Sequence, residues 1–224
     1  MSGFTNETFE VLAELEQNNN KAWYDANKDR LNTVARAPFA GMLGIVTALL
    51  EGSGTPMQGS AKSMFRQYRD VRFSKDKTPY KATVSGLLTA SGDKKDGGGV
   101  VYAQIEPGSG FIGAGFHNLP TAELSLIRDR IIAEPEVFAE VRSGLEAKGL
   151  PLKFDNTLSS MPRGYAQHAD HPQTDALKLK SFLVSEEQHK SVWISGDIVE
   201  RMVAVSEAVG PLLRFGRGAL AGQS

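Results

Sequence analysis

The middle of this chain alternates. In residues 80–89, 100–106 and 111–117, apolar, aromatic and β-branched side chains recur at every second position, and turn residues bound each stretch. A period of two sends successive side chains to opposite faces, so each stretch reads as a strand with one apolar and one polar face. Pro107-Gly108-Ser109-Gly110 reads as the turn that joins the last two into a hairpin. Residues 63–73 read as a further strand, although Phe65, Tyr68, Arg69 and Arg72 also fit helical spacing. Residues 180–184 read as a short one.

On either side the period lengthens. Phe9, Leu12 and Leu15 follow the cap candidates Thr5 and Asn6 at helical spacing. Asn18-Asn19-Asn20 ends that helix and caps the next, whose face carries Trp23, Asn27, Leu31 and Val34 or Ala35. Pro38 reads as the first-turn proline of a third helix ending near Leu50. Residues 121–133, 135–148 and 195–215 read as helices, and residues 217–224 as an irregular tail. With no repeat and no long linker, this order predicts a single α+β domain over residues 1–224. A mainly antiparallel sheet in the middle of the chain would be packed against N-terminal and C-terminal helices.

A chain of 224 residues can bury a core without metal or disulfide support. It has no cysteine, which excludes thiolate catalysis and thiolate metal sites. A net charge of -1 sets aside a general nucleic-acid coat, which needs a strongly basic surface. The opening Met-Ser-Gly-Phe-Thr-Asn-Glu lacks a secretory pattern, and the apolar residues 38–50 are too few to span a bilayer. A cytoplasmic protein with no membrane partner is expected.

Alternation turns Ala82, Val84, Gly86, Val101, Ala103, Ile105, Ile112, Ala114 and Phe116 toward the helices. The other face would show Thr83, Ser85, Tyr102, Gln104, Glu106, Gly113, Gly115 and His117, with Arg66, Tyr68, Asp70 and Arg72 from residues 63–73. Gly113 and Gly115 would leave room above the backbone, a glycine floor ringed by polar groups. An ordinary sheet with one wet face alternates in the same way.

Residues 66–81 carry six cations (Arg66, Arg69, Arg72, Lys75, Lys77, Lys81) against two carboxylates (Asp70, Asp76). Such a concentration needs an anion, an internal carboxylate or water to neutralise it. Arginine grips carboxylate or phosphate through two parallel hydrogen bonds. The expected ligand-binding set is therefore Arg66, Tyr68, Asp70, Arg72, Lys77, Lys81, Gly113 and Gly115, with Arg163 and Lys178 reaching in from the later segment. Tyr80, Tyr102 and His117 are the candidates for proton transfer, the imidazole because it titrates near neutrality. Asp70 would align an arginine, and Arg69, facing the helices, would pair with Asp70, Asp76 or a helix carboxylate.

Other motifs carry less. Gly108-Ser-Gly110-Phe-Ile-Gly113 has dinucleotide-type glycine spacing, but a strand follows where that motif needs a helix N-terminus. His168-Ala-Asp170-His171, with Asp175, offers nitrogen and oxygen donors at a spacing that matches no strong metal signature, and reads as a surface loop. No Gly-x-Ser-x-Gly elbow occurs. No metal and no cofactor is expected.

Arg66-Gln-Tyr-Arg69-Asp70-Val-Arg72-Phe73 followed by Lys75-Asp76-Lys77-Thr-Pro79-Tyr80-Lys81 resembles the signature of the bacterial and fungal family called domain of unknown function 2461. Asn19-Asn20-Lys21-Ala-Trp23-Tyr24, Gly113-Ala-Gly115-Phe116, Pro162-Arg163-Gly164-Tyr165, His171-Pro172 and Leu177-Lys178 support the resemblance. Tyr24 and Tyr165 stand where that family's pattern suggests phenylalanine. The resemblance implies a single-domain chain and an important arginine-rich run; it implies no substrate.

The functional expectation is a protein or enzyme for a small anionic molecule, phosphate- or carboxylate-bearing, held on the polar sheet face. The alternatives are an interaction module meeting an acidic protein or a nucleic acid, and a purely structural ion-pair network.

Overall fold

In the computed structural model of the chain, residues 3–222 are described. The N-terminal layer is α1 (Asn6–Gln17), α2 (Lys21–Leu31) and α3 (Ala37–Leu50), with a π-helical stretch Asn32–Arg36 between the last two. Then come β1 (Val84–Leu88), β2 (Val100–Ile105) and β3 (Ser109–Phe116). Helices α4 (Thr121–Ala133), α5 (Pro135–Ala147) and α6 (Thr174–Leu177) precede β4 (Phe182–His189), α7 (Lys190–Ser195) and α8 (Ile198–Ala221). This is the α+β arrangement expected: one antiparallel sheet in the order β1-β2-β3-β4, flanked by N- and C-terminal helices.

The inner face is the alternation read from the sequence. Val84, Leu88, Val101, Ala103, Ile105, Ile112, Ala114 and Phe116 are buried against α3 and α8. Helix α8 approaches β3 closely because Gly216 lies under the Phe116 ring, where a Cβ would sit 2.2 Å from it. Trp193 closes the far end of the core against Phe4 and Phe39.

Five expectations are corrected. Pro38 stands in the first turn of α3, which ends at Leu50 as expected, but α3 is not set apart from α2, because the helix runs on from Lys21 to Leu50 through the π stretch. Proline cannot donate to the carbonyl four residues back. That carbonyl, of Val34, instead accepts from the Thr8 hydroxyl at 2.6 Å. The resulting helix holds an 18-residue window apolar enough for a membrane span, with a mean hydropathy of 1.5, but Phe39, Met42, Leu43, Val46 and Leu50 are spent on the protein core.

Residues 63–73 are not a regular strand. They run along the free edge of β1 with only isolated bridges, Met64 to Gly86 and Tyr68 to Tyr80, and then leave it. Likewise the strand expected over residues 80–89 is confined to β1, whereas β4 extends past residue 184 to His189 because its polar half still pairs with β3. Finally, α8 continues to Ala221, so residues 217–221 are helical; residues 223 and 224 lie outside the described residues.

Candidate functional site

The basic run divides into an anchored part and a protruding part. Gln67 is the anchor. Its side chain, 3% exposed, donates to the carbonyls of Lys81 at 2.6 Å and Thr83 at 2.7 Å and accepts from Arg36 at 3.0 Å. Backbone bonds from Lys81 to Gln67 and from Arg69 to Pro79 tie the same two segments together. Arg36 Nη1 also donates to the Phe65 carbonyl at 3.1 Å.

Between these ties, residues 70–79 project into solvent. Asp70 aligns an arginine as expected, taking Arg72 Nε at 2.9 Å and Nη2 at 2.6 Å. Arg69 pairs with Asp76 and Thr78, as foreseen for a structural partner. The Asp76 carboxyl is pulled down to about 2, first by the Thr78 backbone N–H and then by Arg69. Lys77 caps the Val71 carbonyl at 3.0 Å. Arg72 and Lys77 therefore stand on an exposed, partly self-neutralised loop and not on the sheet face, which corrects their expected place.

The anchored part does reach the outer face. Phe65 lies 6.0 Å from the Tyr102 ring, and Tyr102 lies 5.6 Å from Phe111, centroid to centroid. Two ammonium groups sit by the Phe65 ring, Lys81 at 5.4 Å and Lys94 at 5.8 Å. Lys94 also donates to the Met64 carbonyl at 2.9 Å. Burial first, then repulsion from Arg66 and Arg69, holds the Lys81 ammonium below the usual lysine value. Among the described residues no carboxylate forms an ion pair with Arg66, Lys81 or Lys94. Beside them runs a polar relay: the Tyr102 hydroxyl donates to Gln104 at 2.5 Å, and Gln104 donates to Glu106 at 2.7 Å. Burial pushes the Tyr102 hydroxyl up, and the Ser85 hydroxyl hydrogen-bonded to it partly offsets this.

The glycine floor takes a different form. Gly113 is covered by the Phe111 ring, 3.6 Å from where a Cβ would be. At Gly115, with φ +124, a Cβ would lie 2.0 Å from the Phe182 carbonyl oxygen, so this glycine permits close approach of β4 and opens no space.

The three proton-transfer candidates do not assemble. Tyr80 is buried beneath Tyr24, stacked at 3.9 Å, with Tyr68 at 5.0 Å; burial and the Tyr68 hydroxyl raise its pKa. Asn19 clamps the Tyr80 backbone from both sides, at 2.9 and 3.0 Å. Tyr102 is on the outer face, opposite Gly113. His117 follows β3, exposed and bonded to Asn118, four residues from Gly113, roughly 13 Å at the rise of a strand.

Arg163 and Lys178 also fail to join the basic run. Their segments adjoin β4, through Lys153 to Leu183 and the Thr157–Leu179 bridge, whereas the basic run adjoins β1. Those strands are the two edges of the sheet, three spacings or roughly 14 Å apart. In the His168–Asp175 stretch, His171 Nδ1 accepts from the Gln173 N–H and Asp175 grips Arg142 through two bonds of 2.9 Å. Among the described residues no three His, Asp or Glu side chains gather as a metal set. Lys94 is the site residue that sequence reasoning missed, since it lies in the connection between β1 and β2, outside every motif named from the sequence.

A family model described as Conserved hypothetical protein (DUF2461) matches residues 7–215, and the chain belongs to that family. No curated protein matches it.

Proposed function

For a chain of this family, we propose a cytoplasmic protein that binds a small anionic metabolite, phosphate- or carboxylate-bearing, at the rim where residues 65–69 and Lys81 meet the outer sheet face. Lys81 carries the reading. Its ammonium is half-buried, repelled by two arginines, and joined by no carboxylate among the described residues. A charge held so needs a counter-ion, and an anion would relieve it. Arg66 would contribute the fork, Lys94 a second ammonium, and the Phe65 and Tyr102 rings a wall against the ligand body. The Tyr102–Gln104–Glu106 relay would hold or pass a proton at the Tyr102 hydroxyl, should a reaction follow.

Thermal-shift titration with inorganic phosphate, pyrophosphate and citrate tests this. At least one should raise the melting temperature of the wild type, since a ligand that binds only the native state stabilises it. Lys81→Met should abolish the shift. A shift that survives Lys81→Met, or no shift with any of the three, contradicts the proposal.

One observation favours a second reading. Phe73 is 96% exposed on the protruding loop, beside Arg72 and followed in the chain by Lys75 and Lys77. An aromatic among cations suits an acidic protein partner. That reading predicts affinity that falls steeply with salt and is lost in Phe73→Ala, while Lys81→Met leaves it unchanged.

A further inference from the structure

At the other edge of the sheet, a cavity of about 310 Å³ lies between α4 and residues 158–165. Its size is at the lower end of small-molecule sites, roughly 300–1,000 Å³. Leu124, Leu158 and Pro162 form its apolar part, while Arg128, Arg163 and Lys180 bring three positive charges to its wall. No carboxylate lines it.

Arg128 makes this a built site. It is 3% exposed, deep enough that a charge is normally paired. Its Nε and Nη2 donate at 2.8 Å each to the carbonyls of Leu177 and Leu179, which fixes the guanidinium plane without neutralising it. The nearest carboxylate acting on it, Asp129, is exposed and already accepts from the Tyr165 hydroxyl at 2.7 Å. Tyr165 stands with its ring 5.9 Å from the guanidinium carbon and also donates to the Ser125 carbonyl at 3.2 Å. Arg163 and Lys180 are exposed and form no ion pair among the described residues. Thr121, in the first turn of α4, adds a hydroxyl, and the positive end of that helix adds to the same field.

We infer that this cavity is a second ligand site, for an organic carboxylate with a short apolar body. Arg163 and Lys180 hold the carboxylate, with the buried Arg128 charge behind it. The body lies on Leu124, Leu158 and Pro162. A polyphosphate would place charge against those apolar groups, which disfavours it. The site is separate from the Lys81 rim, with the width of the sheet between them.

The test uses the full chain with benzoate and octanoate, followed by calorimetry and by amide NMR shifts. The wild type should bind at least one of them, and benzamide, the neutral counterpart of benzoate, should bind much more weakly. Loss of a charge-assisted pair should weaken carboxylate binding by about tenfold or more in Arg163→Ala/Lys180→Ala. Both substituted side chains are exposed, and Arg163→Gln/Lys180→Gln repeats the test with side-chain length retained. Lys81→Met should leave benzoate binding unchanged, which separates this inference from the proposed rim site. The inference is overturned if neither acid binds at millimolar concentration, or if benzamide binds as well as benzoate. It is also overturned if Lys81→Met, and not the double variant, removes binding, or if inorganic phosphate occupies the Arg163-dependent site more tightly than either acid.

Discussion

The two parts of the basic run carry three cations each and have different fates, and both carboxylates of the run lie in residues 70–79. Residues 65–69 with Lys81 are pinned by Gln67 and Arg36; Arg69 pairs with Asp76, but Arg66 and Lys81 form no ion pair with a carboxylate among the described residues, and Lys81 sits by the Phe65 ring. Residues 70–79 are held only at their ends; there Arg72 finds Asp70, Lys77 finds the Val71 carbonyl, and Asp76 turns to Arg69 of the anchored part. Density of charge in a sequence therefore does not mark a site. Anchoring adds what density lacks, because a fixed backbone can hold like charges near each other where a free loop would let them separate or pair.

The largest expected effect comes from removing the anchor. Gln67→Ala leaves the Lys81 and Thr83 carbonyls and Arg36 without their buried partner, and should cost about 2–4 kcal/mol by chemical denaturation. If the cost is below about 0.5 kcal/mol, an ordinary surface value, the pinned and free parts do not differ as described.

Next is Arg72→Ala on the protruding loop. Its ion pair is solvent-exposed, so stability should change by no more than about 0.5 kcal/mol, and phosphate or citrate binding should persist. Loss of that binding would move the ligand from the rim to the loop.

A third effect is confined to acid. The Asp76 carboxyl titrates at about 2, below its ordinary value of 3.8, so the order it gives the loop is present above the ordinary value and is lost as pH falls through about 2. Amide NMR should show residues 69–78 changing there while β2 and β3 do not, and Asp76→Asn should remove the transition. A transition shared by the whole protein would mean that the loop is not independent of the rim.

The smallest effect is spectroscopic. Burial raises the pKa of Tyr24, Tyr80 and Tyr102, so their hydroxyls should ionise above the ordinary tyrosine range in an alkaline absorbance titration. Tyr102→Phe should remove one late step. If the late amplitude is unchanged, the hydroxyl of the relay is not buried.

The sheet was legible because a period of two marks each face, and the inner-face residues named from Val84 to Phe116 are all buried, although β1 is buried on both faces. The alternation of Phe65, Gln67 and Arg69 misled, since a residue pattern does not reveal whether ladder partners continue alongside. Phe111 could have warned against an open floor. It lies two residues before Gly113, so it shares that face and covers it. Lys94 and the separation of Arg163 from Arg66 were not legible, because which segments flank β1 and which flank β4 depends on chain topology and not on local sequence.

The most direct measurement is the titration of the Lys81 ammonium, read from its side-chain NMR resonances with and without phosphate or citrate. Without ligand it should titrate below an ordinary lysine, and on binding it should move upward as the anion offsets burial and the two arginines, with proton uptake if the pH lies between the two values. An ordinary lysine value in the free protein, or a bound anion that leaves the Lys81 titration where it was, would contradict the account.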